Sequence, residues 1–95
     1  MIVRMNEKSP QAIFAERLME SAKNREQFGT RTITLYHEGE ALKAYGESAS
    51  DLAQATGLQL NTKCGLDYLE FYYGMRDMIY PRIVKHGYKA CIITK

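Results

Sequence analysis

A compact single domain of mixed class, α/β (α+β) with one mixed β-sheet flanked by helices, is predicted by three observations. Residues 31–37 are β-branched and aromatic, and 66–73 alternate with Leu69, Phe71 and Tyr73 on one face, the period of a half-buried strand. Three other segments repeat apolar residues every three or four positions, the helical period. The two kinds of segment interleave along 95 residues, a length that holds one modest core without disulfide or metal staples.

The elements follow in order. Residues 1–8 are polar and expected to fray. Ser9 then Pro10 forms an N-cap and a first helical residue, where proline's missing N–H is harmless. Phe14, Leu18 and Ala22, with Ala15 and Met19, recur at helical spacing, so 10–26 is an amphipathic helix that Gly29 ends. Residues 1–29 thus stand as a tail and helix ahead of a domain over 30–95. In 31–37, Ile33 and Leu35 share one strand face and Thr32, Thr34 and Tyr36 the other. A Glu38-Gly39 turn leads to a second strand, 40–45. Ser48 with Asp51 three residues on resembles a capping box; Ala49, Leu52, Ala53 and Thr56 make the buried stripe of a short helix, and Gly57 sits at C′. Residues 58–62 alternate as a strand, Cys64-Gly65 turns, and 66–73 returns with Leu69, Phe71 and Tyr73 on one face. Met75, Ile79 and Ile83 mark a helix over 75–86, which Pro81 must kink or restart. Lys85 and His86 suit its C-terminal dipole, and Gly87 stops it. The near-continuous apolar run 88–93 predicts a central strand covered on both faces.

Composition narrows the function classes. The hydrophobic fraction of 45% and charged fraction of 25% describe a soluble globular protein. No apolar stretch reaches the roughly 20 residues of a spanning helix, and the N-terminus lacks an apolar signal region. Two cysteines, Cys64 and Cys91, are too few and too far apart for a disulfide framework or a zinc site, which points to free thiols in a reducing cytoplasm. The net charge of +2 is small but uneven. Residues 1–60 carry seven basic and eight acidic groups, whereas 61–95 carry six and three, so the C-terminal third is the better place for an anion.

The stretch 35–49 carries Tyr36, two variable residues, Gly39, Glu40, then Ala41, Leu42 and Lys43, and after Tyr45 the group Gly46, Glu47 and Ala49. It resembles the strand-turn-strand of the N-terminal, mismatch-recognition domain of the DNA repair protein MutS. A second block, 71–92, resembles the segment closing that domain, with a helix bearing a central basic residue, then Gly87-Tyr88-Lys89 and an apolar strand. Between them, 52–63 resembles the family's helix, Leu-Gly and Leu-Thr-Lys stretch. The collinear resemblance covers 30–95 and implies a mixed sheet flanked by helices. It also implies a loss. The family's wedge Phe, which stacks beside a mispaired base, falls on Ala41, and the Glu that hydrogen-bonds that base falls on Lys43. Tyr72 stands for the family's proline and Gly74 for its histidine. Ala41 has no ring to unstack a base step, and Lys43 can donate to a phosphate but not accept from a base. The family's chains continue into connector, lever, clamp and ATPase domains, so this chain is expected to be a single-domain relative or a fragment of a longer one.

Candidate site residues follow from both arguments. Lys43, Arg76, Arg82, Lys85 and Lys89 are candidate phosphate contacts; the plain alternative is a solvated set of charges. Tyr36, Tyr45, Tyr68, Tyr72 and Tyr73 are candidate stacking platforms, although strand tyrosines more often pack with the hydroxyl at the surface. Tyr72, opposite in sense to Phe71 and Tyr73, is the residue best placed to replace the wedge at Ala41. His37, Glu38 and Glu40 lack the further ligand a metal site needs. Cys91 in an apolar strand is expected to be an inert core thiol, and Cys64 has no catalytic context. No nucleophile-base arrangement, clustered carboxylates or phosphate-binding Gly-rich loop is present, so no enzyme and no cofactor are expected. The partner implied is double-stranded DNA, bound weakly and with strong salt dependence; wedge-less subunits of the family serve as the non-specific half of an asymmetric dimer. The alternative is a protein-interaction or structural module that kept the fold and lost DNA, contacting a protein partner or the ATPase domains of a parent chain.

Overall fold

The fold was obtained as a computed structural model that describes residues 9–95; the fraying expected of 1–8 lies outside the described residues. The order is α1 (Pro10–Phe28), β1 (Thr32–Glu38), β2 (Ala41–Tyr45), α2 (Glu47–Thr56), β3 (Asn61–Lys63), β4 (Leu66–Tyr72), a 3-10 turn (Tyr73–Met75), α3 (Arg76–Lys85) and β5 (Lys89–Thr94). The strands form one mixed sheet in the order β3-β4-β2-β1-β5, antiparallel throughout except for the parallel pair β1–β5. The α+β class with a mixed sheet flanked by helices is therefore the observed one.

Each face of the sheet carries its own cluster. Ile33, Leu35, Leu42, Ala44, Leu69 and Phe71 project to one side, where Ala49 and Leu52 of α2 and Ile79 and Ile83 of α3 cover them. Tyr36, Tyr45 and Tyr68 project to the other, where Phe14 of α1 completes an aromatic cluster. Phe14 meets Tyr45 edge-on at 4.7 Å and stacks on Tyr68 at 5.5 Å. The alternation in β1 is as expected, but both its faces are buried because α1 lies over the second.

Several expectations are corrected, each for a local reason. Ser9 does cap α1, its hydroxyl accepting from Ala12 N–H at 3.1 Å with Pro10 in the first turn. The buried stripe of α1, however, is Phe14, Arg17 and Ser21, while Ala15, Met19 and Ala22 face solvent. The sheet face beneath carries hydroxyls, so a polar stripe fits it better than the apolar one. Ser48 is not the cap of α2. Gly46 holds that position, and the buried Ser48 hydroxyl accepts the Thr34 N–H at 3.1 Å. Extending the β1–β2 register puts Thr34 opposite Tyr45, where β2 ends, so Ser48 satisfies an amide that the ladder leaves behind. Gly57 closes α2 as expected, its N–H on the Ala53 carbonyl at 2.8 Å.

The β1–β2 turn is Gly39-Glu40, one residue later than expected, because Glu38 still pairs with Ala41. The strand expected at 58–62 shrinks to Asn61–Lys63. It is set by a two-residue turn in which Cys64 and Gly65 both have positive φ, 53° and 74°, a turn whose twist matches that of the flanking strands. Tyr73 leaves β4 for the 3-10 turn. Pro81 neither ends nor restarts α3, which runs from Arg76 to Lys85 with Pro81 inside; Pro81 and Asp77 are exposed, so the carbonyl that proline leaves without a donor lies at the water-facing side.

The largest correction concerns β5. Among the described residues it is an edge strand paired only with β1. Nor is it covered on both faces: Ala90, Ile92 and Thr94 on one face are exposed, and Cys91 and Ile93 on the other are only half-buried. Cys91 is accordingly half-buried, accepting from Asn24 Nδ2 at 3.7 Å, and not a core thiol. Among the described residues no helix is long and apolar enough to cross a membrane.

Candidate nucleic-acid interface

The strand that carries Ala41 and Lys43 lies in the middle of the sheet, and its register decides their neighbours. Ala41 pairs with Tyr72 and Lys43 with Glu70 across β2–β4, while Lys43 also faces Tyr36 across β1–β2. Directly opposed residues share a sheet face. Ala41, Lys43 and Tyr72 are therefore brought together, on the face that α1 occupies. Tyr72 is 58% exposed, and its ring lies where a Cβ on Gly74 would stand, so glycine at 74 makes room for it.

Lys43 is not a free cation. Its Nζ donates to Glu38 Oε1 at 2.6 Å, and Arg17 Nη2 donates to Glu38 Oε2 at 2.7 Å, so each carboxylate oxygen is held by a separate cation. Hydrogen bonds from Arg17 first and Lys43 second hold the Glu38 carboxyl down at about 2. Arg17 itself is buried, with Nη1 on the Tyr45 hydroxyl at 2.5 Å and the guanidinium 4.7 Å above the Tyr36 ring. Burial works to lower the pKa of Arg17, and its bonds to Glu38 and Tyr45 more than reverse this. Tyr36 donates to Glu20 Oε1 at 2.5 Å; burial, then that carboxylate, push its phenol well above the usual range. Burial and the Glu70 carboxylate do the same to Tyr68. This network fixes the underside of α1. Sequence reasoning missed Arg17. The only signal was the run Arg17, Ser21, Asn24 at helical spacing, a polar stripe that needed a polar floor.

The network predicts an acid sensitivity. Because the folded pKa of Glu38 lies near 2, below its ordinary 4.5, this stabilisation is complete above pH 4.5 and is lost as pH falls toward 2. The Glu38 side chain is 39% exposed, so solvent screening reduces the contribution to about 1 kcal/mol. Urea unfolding at pH 6 and pH 3 is expected to show a smaller acid loss for Glu38→Gln than for the natural chain. Equal losses in the two proteins would remove Glu38 from the account.

Three candidate stacking residues are withdrawn by burial. Tyr36, Tyr45 and Tyr68 lie under α1 with 5% exposure or less and cannot meet a base. Tyr73 is half-buried and stacked on His37 at 3.9 Å with the rings 6° from parallel. Arg76 covers Tyr73 at 4.2 Å from its centroid and donates to the Tyr73 carbonyl at 3.1 Å. Two groups this close cannot share one ring face, so His37, Tyr73 and Arg76 form a sandwich. His37 is thereby engaged in stacking, and among the described residues no group of His, Cys, Asp and Glu is placed to hold a metal ion.

The remaining candidates lie elsewhere. Ile79 and Ile83 turn α3 toward the first cluster, so Arg82 and Lys85 belong to the layer across the sheet from Lys43. Arg82 Nη1 donates to the Thr56 carbonyl at 3.0 Å, at the negative end of α2. His86 Nδ1 lies 3.0 Å from the Arg82 carbonyl. Arg31, which no sequence signal connects to this region, stacks over Tyr88 at 4.1 Å and donates to the carbonyls of Gly87 and His86. Lys89 N–H in turn bonds the Arg31 carbonyl at 3.0 Å. Arg82, Lys85, His86 and Lys89 thus follow one another where α3 passes into β5, with Lys89 on the α1 face and Arg31 bonded to the backbone of His86, Gly87 and Lys89. Residues 78–95 contain no Asp or Glu. The seven candidates Ala41, Lys43, Tyr72, Arg76, Arg82, Lys85 and Lys89 do not make one surface: the first three share a face whose cation is neutralised, while Arg82 and Lys85 lie on the α3 side of the sheet and Lys89 on the α1 side. The chain matches no protein-family model and no curated protein.

Proposed function

We propose that this chain is a non-enzymatic, MutS-like binding domain of the cytoplasm that meets the backbone of double-stranded DNA without a mismatch wedge. The observation that carries this reading is the passage from α3 into β5: Arg82, Lys85 and Lys89 lie within residues 78–95, which contain no Asp or Glu, and Arg31 bonds the His86 and Gly87 carbonyls between them. Phosphates are the chemistry that such a segment suits. Several cations without an acceptor for base edges give position on a duplex but no sequence reading. Lys43, tied to Glu38, contributes little to binding in this arrangement, and Ala41 supplies no ring.

The reading is tested by duplex binding as a function of salt, with and without a G·T mismatch. Affinity for the two duplexes is expected to be equal and to fall with a log–log slope of about −2 to −3, as about three phosphate contacts require. Lys85→Glu combined with Lys89→Glu is expected to abolish measurable binding, whereas Lys43→Glu leaves affinity near its starting value. Salt-independent binding, or an unchanged affinity in the Lys85/Lys89 variant, would overturn the proposal.

A further inference from the structure

The two edges of the sheet are guarded very differently. β3 is three polar, exposed residues, Asn61–Lys63, too short and too hydrophilic to accept another strand. β5 runs from Lys89 to Thr94, and its interior, Ala90 to Ile93, has neither a charge nor a proline. No described residue pairs with its outer side. The N–H groups of Lys89 and Lys95 bond the carbonyls of Arg31 and His37. Backbone groups alternate along a strand, so Ala90, Ile92 and Thr94 direct theirs away from β1. Ile92 is also 40% exposed.

Beside this edge lies a recess of about 230 Å³ between Phe28 at the end of α1 and Thr32, Lys89 and Cys91. Phe28 is 45% exposed, and the buried Thr32 hydroxyl has no hydrogen-bond partner among the described residues. Lys89, Cys91 and Ile93 stand opposite Thr32, Thr34 and Tyr36, hence on the α1 face with the recess, and Lys95 reaches to 5.6 Å from the Tyr36 ring on the same face. A free edge supplies main-chain hydrogen bonds, and a pocket for alternate side chains supplies selectivity; together they are the parts of a strand-addition site.

We infer that the outer edge of β5 accepts an extended peptide as a sixth strand, one with aliphatic side chains at its centre and a carboxylate at each end. Charge chooses this occupant. In antiparallel register the partner residues opposite Lys89 and Lys95 stand on their face, where carboxylates pair favourably. Those opposite Cys91 and Ile93 meet apolar surface and the recess. A second copy of the chain is disfavoured in the fully paired antiparallel register, because β5 against β5 sets Lys89 of each copy opposite Lys95 of the other, a like-charge pair at each end. Phosphates cannot reproduce the alternating donors and acceptors of a strand, so strand addition differs in chemistry from DNA binding although the two share Lys89.

The test is amide hydrogen exchange of the full chain titrated with acetyl-Glu-Ser-Val-Thr-Val-Ser-Glu-amide. At saturation the amides of Ala90, Ile92 and Thr94 are expected to exchange about tenfold more slowly. N-methylation of the central Thr, whose amide faces β5, is expected to weaken binding by about fivefold or more. N-methylation of either Val, whose amide points away, leaves it unchanged. The peptide with Lys in place of both Glu is expected not to bind, and Lys89→Glu with Lys95→Glu restores that peptide. Four results would overturn the inference. They are insensitivity to N-methylation, equal binding of the acidic and basic peptides, equal protection by a short DNA duplex, and protection without peptide that grows with protein concentration, which would place a second copy on the edge.

Discussion

Arg17→Ala is expected to destabilise the fold by about 3 kcal/mol, roughly 15 °C in Tm for a domain of this size. The guanidinium is buried against the edge-to-face pair of Tyr36 and Tyr45 and engages Tyr45 and Glu38 at once. Truncation removes this packing, leaves the Tyr45 hydroxyl without its donor, and leaves Glu38 with Lys43 alone. Glu38 is partly exposed and retains one cation, which is why the loss stays toward the low end for a broken buried pair. Arg17→Lys is expected to recover little, since one ammonium cannot span both partners or lie flat on the Tyr36 ring. Urea unfolding measures both variants. A loss below 1 kcal/mol for Arg17→Ala would mean that α1 is held by Phe14 and its aromatic neighbours alone.

Gly46→Ala is expected to cost about 2–3 kcal/mol, by two separable effects. Gly46 has φ 61° and ψ −129°, a conformation that residues with a Cβ rarely adopt, and it is the pivot between β2 and α2. Its N–H bonds the Asp67 carbonyl at 2.8 Å, so the backbone cannot turn away to relieve the strain. An added Cβ would also fall on the Leu18 side chain, which packs against the aromatic cluster from α1. Gly39→Ala provides the control. Gly39 has φ 62°, but an added carbon there meets nothing within 4 Å, so only backbone strain remains. Gly46→Ala is expected to be the worse of the two by about 1 kcal/mol, with Leu18→Ala removing that excess. Equal losses at the two glycines would show that α1 does not press on the β2–α2 junction.

Much of the fold was legible from local chemistry. Ser9-Pro10 begins α1, Gly57 and Gly87 follow the ends of α2 and α3, and the period-two patterns of 32–38 and 66–72 are β1 and β4. Local chemistry misleads where a residue has a distant partner. Ser48 has the composition of a cap, yet its hydroxyl belongs to Thr34, fourteen positions away in sequence. The candidate site divides in the same manner. Lys85 and Lys89 are exposed cations at the ends of adjacent elements, visible in the charge count of the last third. Lys43 has the same side chain, but a carboxylate five residues earlier closes on it once the hairpin forms.

By itself, the sequence determined the class of the fold, the number and kind of its main elements, and the excess of cations near its end. Those properties depend on period, capping and composition, which act within a few residues. Tertiary structure alone decided that β5 is an edge, that α1 rests on a polar network around Arg17, and that Arg31 bonds the backbone between α3 and β5. Each of these depends on which distant backbone or side chain completes a hydrogen bond, and hydropathy along a chain does not encode strand order. The strand-addition surface on β5 therefore rests on pairing, which exists only in the folded chain.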